Sequence, residues 1–167
     1  MTMENNDILV RLRYALDIKN SDMVEIFKLG GIETTKEEVL DLLTKTVNEE
    51  DEKEYINKIN NIKLEAFLNG FITFKRGKQE PKPGHVEPQV QPGKTTECVN
   101  NMLLKKVKIA LALTSDDILD ILQEAGVSVS KGELSAILRK VGHKNYKECG
   151  DRYARNFLKG LTLRYRG

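Results

Sequence analysis

Tryptophan is absent from this 167-residue chain, and cysteine, histidine and proline are scarce. Each scarcity excludes something. Two cysteines, Cys98 and Cys149, are too few for the disulfide framework on which small secreted domains rely. Two histidines, His85 and His143, leave no ligand set for structural zinc, which takes four Cys or His at tight spacings. No apolar run approaches the ~20 residues needed to cross a bilayer. The opening MTMENNDILV lacks the apolar centre of a secretory signal. The expectation is a soluble cytoplasmic protein without membrane contact. Hydrophobic residues make up 40% of the chain and charged residues 31%, a balance that supports a packed core rather than disorder.

What is present is a duplication. FLNGFITFKRG at 67–77 returns as FLKGLTLRYRG at 157–167. Aligning Ala15 with Ala110 lays residues 8–43 on 103–138 without a gap. Leu12 falls on Val107, Phe27 on Leu122, Ile32 on Val127 and Gly31 on Gly126. Five extra residues in the first copy then shift the register, after which Phe67 and Gly70 meet Phe157 and Gly160. The predicted organisation is a first repeat over 1–77, a linker over 78–97 and a second repeat over 98–167. All four prolines lie in the linker, whose composition is that of a semi-rigid tether.

Each repeat reads as four helices, and the predicted fold class is all-α. Helix A spans about 6–17, with Ile8, Leu9, Leu12, Ala15 and Leu16 on one stripe and Asn6 as its cap. Helix B spans about 22–29, begins at Ser21 or Asp22, and stops at Gly30-Gly31 or Ala125-Gly126. Helix C begins at Thr35, where TKEE and its counterpart SKGE (130–133) fit a capping box. Helix D spans about 61–75 and 151–165. Its Gly70 and Gly160 imply a close helix approach that a Cβ would block, because a mid-helix Gly otherwise costs ~1 kcal/mol. No segment reads as a strand. FITF and LTLRY continue helical stripes, and NEEDEKE (48–54) reads as a solvated loop or helix start. Val10 and Tyr14 on helix A, and Ile109 in the second copy, stand on the back face and are candidates for a protein interface.

The segments NDILVRLRYALDI, MVEIFKLGGIE, FLNGFITFKRG and HKNYKECGDRYARNFLKGL together resemble the YehS-like family of small bacterial proteins, whose members carry this unit in tandem. The resemblance covers nearly the whole chain outside the linker. The first copy departs from it between Lys45 and Asn61, where INKINN replaces the family's Cys-x-Asp. The second keeps Cys149 and Asp151, so the cysteine is dispensable. The resemblance implies no function, because the family's function is not established and it has no known catalytic or binding residues.

The residues offer little chemistry of their own. Cys149 follows His143 by six residues, but no third group completes a nucleophilic pair, and the first copy has no equivalent. LGGIE is a helix stop and not a phosphate-cradling loop. The expectation is a non-enzyme with no cofactor and no metal.

Charge is more informative. Residues 1–77 carry 11 Lys and Arg against 15 Asp and Glu, whereas residues 98–167 carry 13 against 7. The first half is acidic and the second basic. Candidate nucleic-acid contacts are therefore Lys105, Lys106, Lys108, Lys131, Arg139, Lys140, Arg152, Arg155, Arg164 and Arg166. Segment 117–140 also has a helix-turn-helix flavour, although its turn is about two residues longer than the tight form. The first copy puts Glu37 and Asp41 where that reading needs cations. Duplicated apolar faces without duplicated polar chemistry favour a helical interaction module, binding another protein or itself. Nucleic-acid binding through the second repeat is the alternative.

Overall fold

A single unit written twice is what the repeat predicts, and the computed structural model contains it over residues 4–47, 49–50, 52–76, 99–139 and 143–165. The first repeat comprises α1 (Asn5–Ala15), α2 (Asn20–Leu29), α3 (Lys36–Leu43), β1 (Lys45–Val47), β2 (Lys53–Tyr55) and α4 (Asn61–Arg76). The second comprises α5 (Val99–Ala110), α6 (Ser115–Glu124), α7 (Lys131–Leu138) and α8 (Asp151–Tyr165). Among the described residues the fold is all-α apart from one hairpin. The linker, with His85, Cys98, Lys140 and Arg166, lies outside the described residues.

The hairpin corrects the expectation that no strand forms. β1 and β2 pair antiparallel with Lys45 opposite Tyr55 and Val47 opposite Lys53. The charge run expected as a loop or helix start contributes Lys53 and Glu54 to β2. The strand holds because Tyr55 has somewhere to go. It is buried, its hydroxyl donates to the Asp7 carboxylate on α1, and Lys45 Nζ stands 4.8 Å from its ring centre. The five extra residues of the first repeat thus lengthen the connection between α3 and α4 into paired strands.

Helix ends follow local chemistry, with two corrections. Thr35 and Ser130 cap α3 and α7 by accepting the amides of Glu38 and Glu133, each at 3.1 Å. α2 starts at Asn20, earlier than expected, and Asp22 accepts the Lys19 amide at 3.4 Å instead of opening the helix. Asp117 does the same for Thr114 at 2.9 Å, and the Thr114 hydroxyl returns the bond. Both B helices end in a left-handed Gly, Gly31 at φ 91° and Gly126 at φ 92°. The following Ile32 and Val127 amides reach back to the carbonyls of Phe27 and Leu122, closing a Schellman motif. The A helices use the same stop without glycine, since Asp17 and Ala112 sit at φ 51° and 52°.

The second correction concerns Asn6. Glu4 precedes the helix, and Asn6 is a buried residue within it. Its Nδ2 donates to the carbonyls of Leu42 (2.9 Å) and Asn57 (2.7 Å), and its Oδ1 accepts the Ile59 amide (3.0 Å). In the second repeat Asn101 Nδ2 reaches Ile137 (3.0 Å) and Lys147 (2.9 Å), and Oδ1 takes the Cys149 amide (2.7 Å). All three partners are repeat equivalents. The neighbouring asparagines repeat as well: Asn5 Nδ2 meets Ile59 O and Asn61 Oδ1, and Asn100 Nδ2 meets Cys149 O and Asp151 Oδ1. One amide side chain clasps the start of helix A, the end of helix C and the approach to helix D, with both N–H groups and its oxygen satisfied.

Helices B and D cross at the glycines. A Cβ on Gly70 would overlap the Ile26 carbonyl, and one on Gly160 would overlap the equivalent Ile121 carbonyl. Gly30 lies equally close to Ala66 O, whereas its counterpart in the second repeat is Ala125. The first repeat's crossing is therefore tighter at that end. Phe27 and Phe67 meet across it with ring centres 4.9 Å apart.

The repeats then pack by exchange. α1 of the first lies on α8 of the second, and α4 of the first lies on α5 of the second. The A and D helices form the seam, and the B and C helices flank it. Buried residues of both repeats make one continuous apolar cluster, from Ile8 and Phe71 to Leu103 and Leu161. A four-helix unit of this size buries too little apolar surface alone, and the second unit supplies the cover.

Candidate functional site

The exchange across the seam redistributes charge in a way that the halves of the sequence conceal. The seam helices α1, α4, α5 and α8 carry two, three, three and four Lys or Arg, twelve in all, against three Asp or Glu. The outer helices α2, α3, α6 and α7 carry three Lys or Arg against ten Asp or Glu. Basic and acidic surfaces thus divide by layer as well as by repeat. Arg11, Lys63, Lys75 and Arg76 of the acidic first half belong to the basic layer. Sequence reasoning missed them because it summed charge along the chain.

The structure treats the ten candidate cations unequally. Lys105 Nζ donates to Arg139 O at 2.6 Å and lies 5.5 Å from the Tyr146 ring centre. Lys106 Nζ crosses the seam to Asn69 Oδ1 at 2.5 Å. Lys131 pairs with Asp116 (3.5 Å) and Arg164 with Asp117 (3.7 Å). Lys108 and Arg139 are half-buried. Arg152 and Arg155 share the outward side of α8 with a cation outside the ten, Lys159. Lys140 and Arg166 lie outside the described residues. The set is therefore several local environments, and only the α8 group forms a run.

The helix-turn-helix segment fares poorly as a phosphate reader. α7 has only eight residues. An open cleft of about 370 Å³ runs between α6 and the start of α7, lined by Asp116, Asp120, Gln123, Ser128 and Lys131 with Leu119 and Val129. Two carboxylates stand where a phosphate would approach Lys131. The Asp117 carboxyl beside them is held below its usual range, first by the Thr114 amide and hydroxyl and then by Arg164.

The candidate interface residues stay accessible. Tyr14 is 56% exposed and Ile109 46%, while Val10 is half-buried. Ile109 does touch the other repeat, but through its backbone: Arg76 donates to its carbonyl at 3.2 Å. Other large apolar side chains at the surface are Leu40, Val47 and Ile56 around the hairpin, and Ile62 at the start of α4.

Cys149 is buried, and its part in the clasp is carried by its amide and carbonyl, which Ile59 provides equally well. His143 Nδ1 accepts the Asn145 amide at 3.1 Å in an exposed turn. Among the described residues no group of three or more His, Cys, Asp or Glu is placed to hold a metal ion. Among them, too, no helix is long and apolar enough to cross a membrane. The asparagine clasp itself went unread in the sequence. Its signal was the doubled pair in ENNDIL and VNNMLL at the same repeat position.

Fold and surface together define a tandem helical-repeat protein with a basic seam between acidic flanks. The chain belongs to the family described as "Protein of unknown function (DUF1456)", whose model matches residues 5–77 and 100–167. It is 43% identical over 162 residues, covering 97% of this chain and 96% of the relative, to the "Uncharacterized protein YehS" of Escherichia coli (strain K12). No solved structure matches it.

Proposed function

We propose that the protein is a non-enzymatic interaction module of the cytoplasm, two helical repeats joined into one body that binds another protein or a second copy of itself. The observation that carries this reading is the separation of charge between seam and flanks. The duplicated polar groups, Asn5, Asn6, Asn100 and Asn101, all bond internally, so what the two repeats keep in common is scaffold. What remains for a partner is the outer surface. There an acidic flank complements the basic seam of another molecule, and the exposed Tyr14 and Ile109 add apolar area. Electrostatic attraction of this kind weakens as salt shortens the screening length.

Sedimentation velocity over a concentration series at low and high salt tests the self-binding form. Association at 50 mM salt that dissolves by about 500 mM supports it, and Tyr14→Ser with Ile109→Ser weakens it. A monomer at every concentration and salt removes self-binding and leaves only a different protein as partner. A second reading, nucleic-acid contact, is favoured by the single feature of α8 developed next.

A further inference from the structure

On α8, Arg152, Arg155 and Lys159 recur at i, i+3 and i+7, so they share one side of the helix and span about 10 Å along it. The opposite side buries Ala154, Phe157, Leu158 and Leu161. After Asp151 the helix carries no acid at all. Arg152 and Lys159 are exposed and Arg155 is half-buried. Among the described residues none of the three makes an ion pair. The charged neighbour that α8 does pair with, Asp117, engages Arg164 on another side of the helix.

The first repeat packs its α1 on this helix. Arg11 is the counterpart of Lys106, and Lys159 is the counterpart of Asn69. Lys106 and Asn69 meet across the α4–α5 crossing at 2.5 Å. On the packed pair α1 and α8, Arg11 and Lys159 are both exposed. Tyr14 is likewise the counterpart of Ile109, which Arg76 at the end of α4 contacts. Tyr14 is exposed and follows Arg11 by three residues, on the same side of α1. The one acid on that side of α1, Asp7, already accepts the Tyr55 hydroxyl and the Glu4 amide. The α4–α5 crossing carries a Lys–Asn hydrogen bond, whereas the α1–α8 pair carries exposed cations on both helices and the exposed Tyr14 on α1.

We infer that the α1–α8 crossing binds the backbone of a single-stranded nucleic acid, with Arg11, Arg152, Arg155 and Lys159 on phosphates and Tyr14 stacking on a base. Cations alone fit any polyanion. An exposed aromatic ring on the same pair of helices selects an unpaired strand, whose bases are free to stack. The site forms only when the two repeats pack, because each contributes part of it. The inference stands apart from self-association, which the sedimentation series measures without any oligonucleotide.

The test is fluorescence anisotropy with a labelled single-stranded RNA 16-mer and a duplex of equal length, across a salt series. Four phosphate contacts on a single strand give a slope of log K against log salt of about −3. Arg152→Gln with Arg155→Gln and Lys159→Gln should flatten it by about 2. Tyr14→Ala should weaken the single strand about fivefold or more and leave the duplex unchanged. The charge-retaining Arg152→Lys with Arg155→Lys and Lys159→Arg guards against a folding artefact and should bind like the parent. No binding at 50 mM salt, a slope near zero, or an unchanged slope in the neutralised variant overturns the inference. Displacement of the RNA by polyglutamate at equal charge also overturns it and points to an acidic protein instead.

Discussion

At the approach to the last helix of the first repeat stands Ile59, and at the same point of the second stands Cys149. One is a branched hydrocarbon and the other a thiol, yet both give an amide to a buried asparagine and a carbonyl to its neighbour. Between helices C and D the two repeats diverge further. The first has a hairpin latched by Tyr55, whereas the second has a shorter connection ending in the same bonds. The comparison separates what the unit needs from what it tolerates. It needs a clasp satisfied by backbone groups, which any side chain can provide, and a helix crossing without a Cβ. It tolerates changes in the loop, in the surface charge and in the thiol.

Breaking the clasp should have the largest effect. Asn6→Ala or Asn101→Ala leaves two carbonyls and an amide buried without partners, at about 1–3 kcal/mol for each group that water cannot reach. A loss of about 3–5 kcal/mol is expected from either variant in urea unfolding. Near-equal losses would show that the two clasps do the same work. If only one variant is destabilised, the repeats are not energetically equivalent.

The glycine crossing sharpens the comparison because the repeats differ there. Gly70→Ala and Gly160→Ala both force a methyl onto a backbone carbonyl and should cost about 1–3 kcal/mol each. Gly30→Ala should cost the same, since Ala66 O blocks it, although the second repeat already accommodates Ala125 at that position. A neutral Gly30→Ala would mean that the two B–D crossings are equally close after all.

Smaller again is the hairpin, which only one repeat has. Tyr55→Phe removes a hydrogen bond to a carboxylate and should cost about 1–2 kcal/mol at neutral pH. Burial, and then Asp7, raise the Tyr55 hydroxyl above its ordinary value of 10.0. The unfolded chain therefore ionises first as pH rises. The contribution is complete below about pH 10 and declines above it, so the gap between parent and Tyr55→Phe should narrow in alkaline chemical denaturation. The smallest change should be a gain. Ala112 adopts a left-handed conformation that costs a non-glycine residue roughly 1 kcal/mol, and Ala112→Gly should raise the melting temperature slightly.

Much of this was legible in the residues. The repeat, the helix order, the extents of α4 and α8, the capping hydroxyls of Thr35 and Ser130 and the meaning of Gly70 and Gly160 all follow from local periodicity and glycine chemistry. Asn6 was misread as a cap because polar residues at a helix start usually serve there, and nothing local shows that three distant backbone groups converge on it. The hairpin was misread because its charged residues say loop, while the burial of Tyr55 that holds it depends on Asp7, 48 residues away.

By itself the sequence determined which segments are helical, where helices C and D start, and that one pattern is used twice, since those depend on side chains within a turn or two of one another. Only tertiary packing decided that the repeats would exchange partners, A on D and D on A. That exchange gathers cations from an acidic half and a basic half into one layer. The physical reason is that apolar stripes choose their cover by shape and area, and the charges on the other side of each helix are carried along.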